Sequence, residues 1–196
     1  MKRLYKRCLV PVLAAAVLLC ALCLSGCTVS NPYGNIVDND WTIDALNVKI
    51  DVAADRTATV EEEFYITFNA WGKHGMYRDF AVNSGEKYRD VLVRGATIQD
   101  GVETDYYPDY TFERSSGLLS LRIGSEYRAF GPGSRVRFTI SYKLIPPKKA
   151  TPDTYYMNAI GPGFSTEIRV ANIELTMPVA IDSDKAFYYE GGYGEN

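Results

Sequence analysis

From Ala58 to Phe68 every second residue is apolar, with one exception. Ala58, Val60, Phe64, Ile66 and Phe68 share one parity, and Thr59, Glu61, Glu63, Tyr65 and Thr67 share the other. A period of two over this length specifies a strand with one buried face, because successive side chains leave a strand on opposite sides. The exception is Glu62, a carboxylate on the apolar parity. A buried carboxylate needs a cation or several N–H donors. Arg78, in the segment Gly75-Met76-Tyr77-Arg78-Asp79-Phe80, is the nearest arginine that follows an apolar pair and could fold back onto it. A structural Glu62–Arg78 ion pair is therefore the sharp expectation. The plainer alternative puts Glu62 at a strand end or bulge, in reach of water.

The same period recurs along the chain. Leu46, Val48, Ile50 and Val52 alternate with polar residues and precede the Ala58 strand by a short turn, which predicts a hairpin. Val91 to Gln99 reads as the next strand, with Arg94 and Gly95 hinting at a bulge. Asp100-Gly101 is a hairpin turn signal. Thr104 to Phe112 is aromatic and acidic, and Pro108 within it predicts an edge strand or loop. Leu119, Leu121 and Ile123 share one face of a further strand, as do Val136, Phe138, Ile140, Tyr142 and Leu144 before Pro146-Pro147. Glu167 to Met177 is the last strand, and its apolar parity slips, which predicts a bulge near Ala171-Asn172. No window of the mature chain carries a helical period. The expectation is all-β: an Ig-like antiparallel β-sandwich of about seven or eight strands, preceded by a helical signal peptide.

The N-terminus has its own logic. Lys2, Arg3, Lys6 and Arg7 precede an almost wholly apolar run from Cys8 to Leu24, and Leu24-Ser25-Gly26-Cys27 follows. A basic region, an apolar stretch and small residues before a cysteine match a lipoprotein leader, in which Cys27 receives the lipid that holds the new N-terminus in the membrane. Two readings compete: an ordinary signal peptide with a chance cysteine, and an uncleaved anchor, since about 17 apolar residues is the lower limit for spanning a bilayer. The expected organisation is residues 1–26 as leader, 27–40 as a tether rich in Asn, Gly, Pro, Ser and Asp, 41–180 as the sandwich, and 181–196 as a Tyr- and Gly-rich tail. All four cysteines lie at or before Cys27, so the exported part has no internal disulfide. At 170 residues after loss of 26 from 196, it is large enough to bury a core without one.

Charge and residue types narrow the function classes. The leader holds four of 21 basic residues and none of 24 acidic ones, so the mature chain has 17 against 24 and a formal charge of −7. That sign disfavours nucleic acid and anionic membrane surfaces as partners. His74 is the only histidine, and it lies in a Gly-containing loop without metal-ligand or triad partners at defined spacing. GPGF and FGPGS lack the strand–loop–helix setting of a phosphate cradle. The expectation is a non-enzymatic chain with no cofactor, no metal and no catalytic residue. It is a sensing or interaction module at the cell membrane, facing the extracytoplasmic side, with a protein or glycan partner. The alternative is a carbohydrate-binding or glycan-acting envelope domain that uses Tyr-rich stretches near 105–110, 155–156 and 188–193.

Taken in order, several short motifs fit one family. They are Trp41-Thr42-Ile43, Val60-Glu61-Glu62 with Phe64 and Phe68, and Gly75-Met76-Tyr77-Arg78. Leu121-Arg122-Ile123-Gly124, the Tyr142 strand, Tyr156-Met157-Asn158-Ala159-Ile160-Gly161 and Leu175-Thr176-Met177-Pro178 follow. Together they resemble the N-terminal domain of predicted bacterial membrane proteins known as domain of unknown function 2207 (YciQ-like), over about Trp41 to Pro178. The resemblance implies an extracytoplasmic β-sandwich with no established activity. In that family transmembrane segments follow the domain. A sequence that stops at Asn196 is then expected either to be truncated before them or to use a lipid on Cys27 in their place.

Overall fold

The structure, a computed structural model, describes residues 38–83, 85–115, 117–148, 155–161, 163–181 and 184. The leader, Cys27 and most of the expected tether and tail lie outside the described residues. Nine strands are described: β1 (Trp41–Val52), β2 (Ala58–Phe68), β3 (Gly75–Ala81), β4 (Lys87–Gln99), β5 (Val102–Tyr106), β6 (Tyr110–Ser115), β7 (Leu118–Gly124), β8 (Arg135–Ile145) and β9 (Ala171–Thr176). They form a six-stranded sheet, β5-β4-β8-β2-β1-β9, and a three-stranded sheet, β3-β7-β6. Buried side chains of both sheets make one apolar core, so the architecture is a sandwich.

The long period-two segments form the centre. β2 lies between β1 and β8, antiparallel to both. Its Val60, Phe64, Ile66 and Phe68 meet Val136, Phe138 and Tyr142 of β8 and Met76, Phe80, Leu121 and Ile123 of the smaller sheet in the core. Each such large side chain contributes about 1.5–3 kcal/mol on burial. The turn between β4 and β5 has Asp100 and Gly101 both at positive φ, 51° and 79°, the backbone that a two-residue hairpin requires.

Several expectations need correction. Gly75–Ala81 is a strand in its own right, β3, so Arg78 is part of the second sheet. Its period was hidden because Arg78 sits on the inward parity between Met76 and Phe80. The Thr104–Phe112 stretch is two edge strands, one in each sheet, and the chain changes sheets around Pro108. The bulge of β4 falls between Arg89 and Leu92, with Asp90 at φ 54°, and not at Arg94-Gly95. Gly95 is instead where the Tyr106 ring lies against the backbone: a Cβ there would come 2.8 Å from the ring. The last strand is parallel to β1, so the fold is not wholly antiparallel. Its pairing with β1 runs without a shift from Leu46↔Ala171 to Asp51↔Thr176. The irregularity lies in β1, between Ile43 and Ala45. The parity slip in the last strand mirrors that kink, because a strand paired in register must follow its neighbour's pleat.

Candidate functional site

Glu62 points inward from β2, between Val48 of β1 and Ile140 of β8 in register. Arg78 points inward from β3, opposite it across the core. The structure brings the two together. Arg78 Nε donates to Glu62 Oε2 at 2.7 Å and Nη2 donates to Glu62 Oε1 at 2.8 Å. This two-pronged geometry matches a planar guanidinium to a carboxylate. Glu62 is fully buried and Arg78 is 2% exposed, so the pair ties one sheet to the other inside the core.

The remaining valences are also met. Tyr142 of β8 donates its hydroxyl to Glu62 Oε1 at 2.8 Å. Arg78 Nη1 donates to the Asp79 carbonyl at 2.5 Å. The Phe80 ring centroid lies 4.6 Å from the Arg78 guanidinium carbon and the Phe164 centroid 5.4 Å. Gly161, at φ +68°, lies so close that a Cβ would come 2.3 Å from Arg78 Nη1. Glycine therefore serves twice here, for a left-handed backbone and for close approach. Among the described residues no buried side-chain nitrogen or oxygen lacks a hydrogen-bond partner.

Electrostatics follow the geometry. Burial alone would lower the Arg78 pKa, but the charge and hydrogen bonds of Glu62 outweigh it and the net shift is upward. Burial, then the Glu62 charge, pushes the Tyr142 phenol well above its ordinary range. Burial and the nearby Glu86 push Tyr88 up to about 12. Tyr88 donates to the Ala81 carbonyl at 3.2 Å and packs against Phe80 and Tyr142. A hollow of about 20 Å³ opens beside this cluster, lined by Arg78, Tyr88, Tyr142, Tyr156 and Asn158 among others. That is room for about one water, against about 300–1,000 Å³ in ordinary ligand sites.

The other sequence features fall elsewhere. Glu61 is exposed, and Glu63 faces outward toward Arg137 at 3.6 Å. His74 Nδ1 lies 3.1 Å from the carbonyls of Ser125 and Arg128, so it joins two loops. No group of His, Cys, Asp and Glu among the described residues is arranged to hold a metal. Of the Tyr-rich stretches, 188–193 lies outside the described residues; in the other two, Tyr106 and Tyr155 are partly buried, while Tyr107 and Tyr156 are exposed. Sequence reasoning missed Tyr142 as a partner of Glu62. Its signal was a hydroxyl on the apolar parity of β8, the same kind of exception as Glu62 on β2.

Residues 42–196 match the family described as "Predicted membrane protein (DUF2207) N-terminal domain". The described residues thus form a β-sandwich domain of a class defined by predicted membrane proteins of unknown function. The chain belongs to that family. No curated protein matches it significantly. Among solved structures it is similar to a Parabacteroides distasonis protein assigned as a protease, at 8% identity and a TM-score of 0.38, over 55% of this chain and 23% of that one. It is also similar to a two-domain M1 zinc metallopeptidase, at 8% identity and a TM-score of 0.35, over 61% and 24%. Yeast LTA4 hydrolase follows at 12% identity and a TM-score of 0.34, over 57% and 15%. The chain spans a quarter or less of each of these proteins. Among the described residues no helix is long and apolar enough to cross a membrane.

Proposed function

We propose that this chain is a membrane-tethered, extracytoplasmic β-sandwich that works as a non-catalytic sensing or interaction module of the bacterial envelope. The observation that most supports a non-catalytic role is the closure of the buried Glu62–Arg78–Tyr142 network. A catalytic acid or base must come within hydrogen-bond reach of a substrate. Glu62, Arg78 and Tyr142 bond to one another instead, and the hollow beside them has room for about one water. The leader and the Leu24-Ser25-Gly26-Cys27 box supply the tether and direct the domain outward.

The test is made on the full chain expressed in a bacterial host. The wild type is expected in the membrane fraction, digestible by protease added outside the cells, with a mature N-terminus at Cys27 that carries a lipid. The Cys27→Ser variant is expected to lose that modification. An intact Met1, or an unmodified residue at the mature N-terminus, overturns the lipid tether. Protection from external protease overturns the orientation.

A further inference from the structure

β9 ends the larger sheet, and among the described residues no strand pairs with its far side. Its core face is apolar. Leu46, Val48 and Ile50 of β1 are buried, and their partners on β9 are Ala171, Ile173 and Leu175. Paired residues share a face of a sheet, so these three carry the core face one strand further. They are not sealed there: Ile173 is 51% exposed and Leu175 43%. The smaller sheet lies toward the other side. Arg78 of β3 meets Glu62 of β2, and the Tyr110 hydroxyl of β6 donates to the Val91 carbonyl of β4 at 3.4 Å. The larger sheet thus overhangs the smaller one at β9.

The backbone of this edge is open in the same way. Leu46 N donates to the Val170 carbonyl at 2.9 Å. Alternate residues of a parallel strand face its neighbour. Val170, Asn172 and Glu174 therefore turn their N–H and C=O groups to β1, and Ala171, Ile173 and Leu175 turn theirs away. Natural sheets blunt such an edge with lysine, proline or a bulge, because it templates pairing with another chain. Ala171–Thr176 contains no lysine or proline, and its pairing with β1 runs without a shift.

The order of residues in β9 identifies the strand that fits. Antiparallel pairing with a second β9, about a two-fold axis through Ile173, sets Ile173 against its own copy, Leu175 against Ala171 and Asn172 against Glu174. A large apolar residue then meets a small one, and an amide donor meets a carboxylate. The outward backbone groups of Ala171, Ile173 and Leu175 face one another in this register, as a hydrogen-bonded antiparallel pair requires. β5, the opposite edge of the same sheet, fails the same test. Pairing with a second β5 about Thr104 sets Glu103 against Asp105, like charges that destabilise the contact.

We infer that β9 is a dimerisation edge at which two copies of this chain join in antiparallel and form one continuous sheet across a two-fold axis. The partner is a second copy because the strand is complementary to itself. This holds whether or not the chain is tethered to a membrane.

The full chain is purified in mild detergent and followed by sedimentation through a dilution series. The wild type is expected to pass from dimer to monomer, and the amides of Ala171, Ile173 and Leu175 to lose protection from hydrogen exchange as it does. Ile173→Lys places two ammonium groups on the axis and is expected to be monomeric throughout. Asn172→Asp sets a second carboxylate opposite Glu174 and is expected to weaken the dimer about tenfold. Adding Glu174→Lys turns each repulsive pair into an ion pair and is expected to restore the dimer, which a misfolded variant would not do. A wild type that is monomeric at every concentration overturns the inference. So does amide protection that persists in the monomer, because another part of the same chain then covers the edge. A dimer that Ile173→Lys leaves intact, or that the added Glu174→Lys does not restore, overturns the two-fold pairing of β9.

Discussion

Arg78 and Arg137 both meet carboxylates, and they stand on opposite sides of the larger sheet. Arg78 reaches Glu62 inside the core, with both side chains at 2% exposure or less. Arg137, on the outer face of β8, reaches Glu103 at 2.7 Å, Glu63 at 3.6 Å and Asp105 at 3.7 Å, and its own side chain is 19% exposed. The two glutamates differ by one position on β2, and that single step sends them to opposite faces. By count, Arg137 has the richer set of partners. By energy, Arg78 matters more, because Arg137 is partly exposed to water that can replace its partners, whereas Arg78 and Glu62 are almost wholly buried.

The sharpest way to break this contrast is to remove one member of each pair. Glu62→Leu leaves a buried, unpaired guanidinium, and chemical denaturation is expected to show a loss of about 3–5 kcal/mol. The double variant Glu62→Leu with Arg78→Met is expected to recover most of it, since apolar replacement of a whole buried pair is often neutral. A double variant as unstable as the single one would mean that the pair also specifies how the two sheets dock.

Next in size is the hydroxyl that completes the network. Tyr142→Phe removes a hydrogen bond to a charged group, a loss of about 1.5–3 kcal/mol at neutral pH. It also changes the alkaline limb of stability. Tyr88 and Tyr142 keep their protons in the folded state to higher pH than in the unfolded chain. Their contribution is therefore intact below the unfolded value near 10 and declines as pH rises through it, continuing for Tyr88 to about 12. Each such tyrosine steepens the decline by about 1.4 kcal/mol per pH unit. Denaturation midpoints from pH 9 to 12 are expected to fall less steeply in Tyr142→Phe than in the wild type, and equal slopes would remove Tyr142 from the account.

The smallest effect belongs to the outer face. Arg137→Met is expected to cost less than about 1 kcal/mol, and the cost should shrink as salt is added, because exposed charges are screened. A salt-insensitive loss as large as that of Glu62→Leu would erase the distinction between the two arginines.

Much of this was legible in the chain alone. Alternation in β1, β2, β7 and β8 placed their buried faces correctly, because a strand with one wet face must repeat every two residues. The misfit of Glu62 on that pattern was visible, and so was a nearby arginine, because a buried carboxylate demands a partner. What the pattern could not supply was the two outer strands of the smaller sheet. β3 is seven residues long with a charge at its centre, and β6 is exposed throughout, so neither shows clean alternation. The parallel course of the last strand was also hidden, because periodicity records which face is buried and not which way a neighbour runs.

Sequence by itself thus determined an all-β chain, its central strands and one carboxylate on a buried face, which called for a cation or several N–H donors unless it reached water. Only the tertiary structure decided that Arg78 answers from the opposite sheet, that Tyr142 shares the carboxylate, and that Gly161 closes over the guanidinium. Those partners lie 16, 80 and 99 positions from Glu62 in the chain. Local periodicity carries no information over such separations, and contact across a packed core does.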